Sequence, residues 1–230
     1  MFPSLSRIRP GLLIIFILFN AIACQAQDKN YEDTFQSRAS VILSYAADKY
    51  QLPAPNYSDP EKVYWPAVIA RFQLYGKDDE KANRLLDDPV FKNRLPFHFI
   101  LVGMARIMPL FPDAPAMEEN RVNYLKNVAA RKDSYNPWTC EGTENHINMS
   151  RTSGYIFAEQ MLDYPDLFPE AERWRVMMKD WLRYYVRRVL NTGTGEFNAS
   201  TYGVFNIIGF LNLYDFARDK EVKELAKKIL

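Results

Sequence analysis

Polar and small residues crowd together in two stretches, Trp138 to Gly154 and Gly193 to Gly203. In the first, Glu144, Asn145, His146, Asn148 and Arg151 fall within eight residues, and His146 is one of only two histidines in the chain. A carboxylate, two amides, an imidazole and a guanidinium so close in sequence can exchange protons and stabilise developing charge. The second stretch, Glu196-Phe197-Asn198-Ala199-Ser200-Thr201-Tyr202, follows a glycine-rich turn and adds a carboxylate, an amide and a phenol. Each stretch also has a plain structural account. Thr143 or Asn145 can cap the helix that follows, and Glu144 is favourable near its positive end. Ser200 or Thr201 can cap the next one after the Gly-rich turn.

Other chemistries fit less well. The chain has no His-Glu-x-x-His, no Cys/His cluster and no acidic calcium loop, so no metal site is expected. Cys140 has Glu141 beside it and His146 six residues on, but two nearby glutamates oppose the electropositive setting that a thiolate needs. His98 lies in the apolar run Leu95 to Leu101 and reads as a core histidine.

Helices must position these groups. Apolar spacing predicts them at about 31–50, 61–76, 78–87, 91–109, 117–131, 146–162, 169–191, 200–217 and 219–230. The clearest is 169–191, where Trp174, Met177, Met178, Trp181, Tyr185 and Val189 recur as one buried stripe. Prolines mark joints, except Pro66 and Pro96, which are read as lying near helix starts, where a missing amide hydrogen costs little. No strand-like alternation occurs, so the chain is expected to be all-α, built of antiparallel helical hairpins. The two polar stretches then begin alternate helices, whose starts face the same end of such an array.

The N-terminus has the order of an export signal. Arg7 and Arg9 precede the apolar run Gly11 to Phe19, which ends in Asn20-Ala21-Ile22-Ala23-Cys24. That run falls short of the roughly 20 residues needed to span a membrane. Residues 1–23 are therefore read as a signal peptide, 24–30 as a tether and 31–230 as a helical domain, cut off in mid-helix at Leu230. Ala21-Ile22-Ala23-Cys24 resembles the lipobox of bacterial lipoproteins, with Ala21 where leucine is commoner. The resemblance implies a lipidated Cys24, no other membrane attachment, and a periplasmic or outer-membrane location in a Gram-negative bacterium. An ordinary signal-peptidase cut after Ala23 or Ala26 stays open. Only two cysteines, Cys24 and Cys140, argue against a disulfide framework. The formal charge of +1 drops to about −1 once Arg7 and Arg9 are removed, and the basic residues are dispersed among acids, which excludes a nucleic-acid interface.

Asn145-His146, followed 56 residues later by Tyr202 in its Glu-Phe-Asn-Ala-Ser-Thr-Tyr context, resembles the alginate lyase and heparinase II/III-like polysaccharide lyases. Their catalytic domain is an (α/α) toroid, and the likeness covers about residues 130–217. Thr201 stands where that family has proline; the further histidine and the C-terminal β-sandwich of such enzymes do not occur here, so an incomplete toroid is implied. The resemblance implies β-elimination in a uronate-containing polysaccharide. Asn145 would hold the carboxylate of the sugar, His146 or Tyr202 would remove the adjacent proton, and Tyr202 would protonate the leaving oxygen. Arg151 would be the cation that lets a tyrosine act as base. Glu144, Glu196, Asn198 and Trp138 are expected to bind substrate, and no cofactor is needed.

Two rival functions stay open. A glycoside hydrolase on the same scaffold would use Glu144 and Glu196 as its two carboxylates. A non-catalytic glycan-binding lipoprotein would use its aromatic residues, 14% of the chain, as stacking platforms.

Overall fold

The computed structural model describes residues 33–48, 61–88, 98–196 and 200–230. The signal segment with Cys24, the tether, the expected helical residues 91–97 and Asn198 lie outside the described residues. The chain divides into two compact units, Met1–Tyr45 and Ala46–Leu230. Of the first, residues 33–45 are helical; everything below concerns the second.

The chain is all-α, with no strand among the described residues. After α1 (residues 33–48) come α2 (Glu61–Tyr75), α3 (Glu80–Leu86), α4 (His98–Leu110) and α5 (Pro115–Ala130). The remainder are α6 (Glu144–Met161), α7 (Ala171–Thr192), α8 (Ser200–Phe216) and α9 (Lys220–Lys227). Packing alternates. Helices α2, α4, α6 and α8 touch in that order, whereas α3 packs on α5 and α7 on α9; the pairs α2/α3, α6/α7 and α8/α9 also pack together.

Local chemistry explains the ends. Gly76, at φ 89°, closes α2, and the carboxylate of Asp79 starts α3 by accepting the Ala82 amide hydrogen at 2.7 Å. Pro115 occupies the first turn of α5, where its missing N–H costs nothing. Gly193, at φ 77°, ends α7. Pro66 corrects the reading made from sequence: it is the sixth residue of α2, past the amides that a helix start leaves free, so it removes one helical hydrogen bond.

Helix α6 is the axis of the core. It is flanked by α4, α7 and α8, and from Asn148 to Glu159 only Arg151 escapes full burial. A helix so enclosed needs small residues, and α6 supplies Ser150, Thr152, Ser153, Gly154 and Ala158. A Cβ on Gly209 of α8 would sit 2.3 Å from Thr152 Oγ1, and one on Gly154 would sit 2.9 Å from Pro137 Cβ. Two of the buried hydroxyls are satisfied by bonding back along the helix, Thr152 to the Asn148 carbonyl and Ser153 to the Met149 carbonyl, both at 2.6 Å.

The stripe on α7 is rotated from the one expected. Ala171, Met178, Leu182, Tyr185 and Val186 are the buried residues, while Trp174, Met177, Trp181 and Val189 pack at the margin. Among the described residues no helix is long and apolar enough to cross a membrane.

Candidate functional site

Helix α6 begins two residues earlier than its apolar pattern indicates, so Glu144 and Asn145 form its first turn rather than the loop before it. Thr143 takes the extended cap conformation, φ −70° and ψ 159°, yet makes no side-chain capping bond. Its hydroxyl turns instead to Asn145 Oδ1. The cap comes from the second polar stretch, because Glu196 Oε2 accepts the Asn145 backbone amide hydrogen at 3.1 Å. Glu144 Oε2 accepts the Glu196 amide hydrogen at 3.0 Å in return. Each carboxylate thus closes the backbone of the other stretch, and Glu196 places negative charge at the positive end of α6.

A buried polar chain runs inward from this clasp. Asn206 of α8 donates to Glu196 at 2.9 Å and accepts from Asn148 of α6 at 2.8 Å. Asn148 also donates to the Tyr185 hydroxyl at 2.8 Å, and that hydroxyl donates to Glu144 Oε1 at 3.1 Å. Arg188 pairs with the same Glu144 oxygen and lies 5.0 Å over the Tyr185 ring. Burial, with the Glu144 charge adding to it and the Asn148 hydrogen bond opposing, pushes the Tyr185 phenol up to about 12. Among the buried side-chain atoms of the described residues that have no hydrogen-bond partner are Asn148 Oδ1 and Asn145 Nδ2.

The two histidines meet. His98, fully buried at the start of α4, stacks on His146 with ring centroids 3.9 Å apart and planes at 28°, and Tyr135 lies 5.5 Å from His98. Burial and the neighbouring His146 push His98 down to about 3. Burial also lowers His146; Lys62 adds to this and the Glu196 charge opposes it. Both rings are therefore neutral at pH 7.

The expected site residues are distributed unevenly. Asn145, His146, Glu144 and Glu196 gather at the start of α6. Tyr202, half-exposed in the first turn of α8, lies one turn before Asn206 on the same helical face. Arg151 contacts the Cys140 carbonyl at 3.4 Å and the Trp181 ring at 5.5 Å; the arginine set against a tyrosine ring in this network is Arg188, over Tyr185. Trp138 is buried and stacked on Trp174 at 4.4 Å, so its ring is core and not a platform for substrate. Cys140 is buried with its thiol near the carbonyl oxygens of Glu141 and His146, and burial raises it, which leaves it an unreactive thiol.

An open cleft of about 250 Å³ adjoins the clasp, lined by Gly142, Glu144, Asn148, Trp181, Tyr185 and Arg188 among others. Asn145, 1% exposed, is not among its lining residues. Sequence reasoning missed Tyr185, Arg188 and Asn206 as partners of this site. The available signal was the pair of amides Asn206 and Asn212 within the largely apolar α8, and an aromatic and basic set at positions 181, 184, 185 and 188 of α7. Among the described residues no group of three or more His, Cys, Asp or Glu side chains is placed to hold a metal ion. Compared with protein-family models, curated proteins and solved structures, the chain matches none.

Proposed function

We propose that the protein is a carbohydrate-active enzyme, exported and held to a membrane by a lipid on Cys24, that cleaves a uronate-containing polysaccharide by β-elimination. The carrying observation is the clasp: Glu196 on the Asn145 amide and Glu144 on the Glu196 amide bring the two polar stretches to one end of the helices. Further support comes from Asn145 Nδ2, which has hydrogens to offer a substrate carboxylate, and from His146, which burial keeps in its proton-accepting form. Tyr202 would supply the proton to the leaving oxygen. Asn145 is 1% exposed, so substrate reaches its side chain only with a local rearrangement at the start of α6. The alternation of helix packing suits an (α/α) toroid, of which these helices would be part.

The chain should release an unsaturated, near-ultraviolet-absorbing sugar from alginate or polygalacturonate. Tyr202→Phe should abolish that signal with the fold intact, and Asn145→Ala should cut the rate roughly 10²–10³-fold, as loss of a charge-stabilising donor does. No absorbing product from any uronate polymer would overturn the reading. The meeting of Glu144 and Glu196 favours one rival, a glycoside hydrolase, which would give new reducing ends without absorbance and lose them on Glu144→Gln.

A further inference from the structure

The cleft beside the clasp has a wall that the proposed chemistry does not use. Trp181, Tyr184, Tyr185 and Arg188 recur at three-and-four spacing on α7 and face the first turn of α6 across the cleft. Their states differ in a way that suits a ligand. Tyr185 is committed to the buried hydrogen-bond chain, whereas Tyr184 is 66% exposed. Trp181 is partly buried, stacked on Tyr185 at 5.3 Å with Arg151 5.5 Å over its ring. Arg188 uses Nη2 on Glu144, and its side chain is 43% exposed. The fork is held by that ion pair and by the Tyr185 ring beneath it, which leaves Nε and Nη1 to meet an incoming acceptor.

On the floor, Asn148 Oδ1 is buried with no partner in the protein. At the rim, Gly142 stands at φ 137°, where a side chain would be strained. The cleft volume of about 250 Å³ is below the roughly 300–1,000 Å³ of sites for drug-sized ligands, and is on the scale of one ring of a polymer.

We infer that this cleft is a subsite for one acidic sugar ring of a glycan chain. The apolar face of the sugar packs on the exposed Tyr184, and its carboxylate pairs with the free side of the Arg188 fork. Aromatic rings offer a rigid apolar surface and arginine a planar fork matched to a carboxylate, so the pair selects a uronate over a neutral hexose. This inference rests on the carbohydrate reading above for its ligand class but not on cleavage.

Affinity electrophoresis of the full chain in gels containing alginate, polygalacturonate or neutral dextran tests it. Wild type should be retarded by at least one uronate polymer and not by dextran. Tyr184→Ala and Arg188→Gln should each weaken retardation about tenfold, as loss of one well-placed aromatic or charge-assisted contact does. Tyr184 is exposed, so its substitution leaves the fold intact even if Arg188→Gln perturbs Glu144; Arg173→Gln, a remote and exposed charge change, should migrate as wild type. Equal retardation by dextran, none by either uronate polymer, or wild-type retardation of Tyr184→Ala would overturn the subsite. Cleavage is scored separately by absorbance. Retardation without product would sink the lyase reading and leave the subsite standing, whereas product formation unaffected by either α7 substitution would do the reverse.

Discussion

Glu196 caps a helix to which it does not belong: its carboxylate accepts the amide hydrogen of Asn145, 51 residues earlier, at 3.1 Å. The same oxygen accepts from Asn206, so one side chain ties the turn after α7 to the starts of both α6 and α8.

Removal of that side chain should therefore act as loss of a cap. Glu196→Ala leaves the Asn145 amide and the Asn206 side chain without their acceptor and should cost about 1–2 kcal/mol. Glu196→Gln retains an acceptor and should cost less. The check is the urea midpoint at unchanged slope, and a wild-type midpoint for Glu196→Ala would refute the capping role.

The crossing of α6 and α8 should be intolerant of a single methyl group. Gly209→Ala places a carbon 2.3 Å from Thr152 Oγ1, and overpacking of this kind costs about 1–3 kcal/mol. Thr152→Ala removes that oxygen, so the double variant should be more stable than the sum of the two single losses. Strict additivity in a double-mutant cycle would show that the two residues do not touch.

Acid should loosen the fold before its carboxylates titrate. His98 is depressed from 6.5 to about 3, so between those values the unfolded chain binds a proton that the folded chain does not. Stability then rises with pH across this window: the contribution is complete above about 6.5 and is lost as pH falls towards 3. His146, shifted in the same direction, adds to the slope. Urea midpoints measured from pH 7 to pH 4.5 should fall for wild type and fall less for His98→Leu. An unchanged slope in that variant would place the proton elsewhere.

On α7 the buried position is Leu182, 1% exposed, rather than its neighbour Trp181 at the core margin. Leu182→Ala should cost about 2–5 kcal/mol and Trp181→Ala less, against the expectation from side-chain size alone. A larger loss at Trp181 would restore the stripe read from the apolar pattern. Arg183→Ala, exposed and paired with Glu221 at the surface, should have little effect.

Helix content and most boundaries were legible in the sequence, because three-and-four apolar spacing and proline joints are local properties. The same holds for the two polar stretches at helix starts, since their composition departs from the surrounding pattern. Local reading went astray where a distant partner acts. Thr143 has the sequence of a cap, but the capping oxygen comes from Glu196; Trp138 has the composition of a sugar platform, but Trp174 occupies its face. The polar start of α6 read as a candidate site or a cap, and only tertiary structure made the helix the core axis. Close crossings such as Thr152 on Gly209 demand small side chains, and buried polar groups persist there because α7 and α8 bring partners such as Tyr185 and Asn206 to meet them.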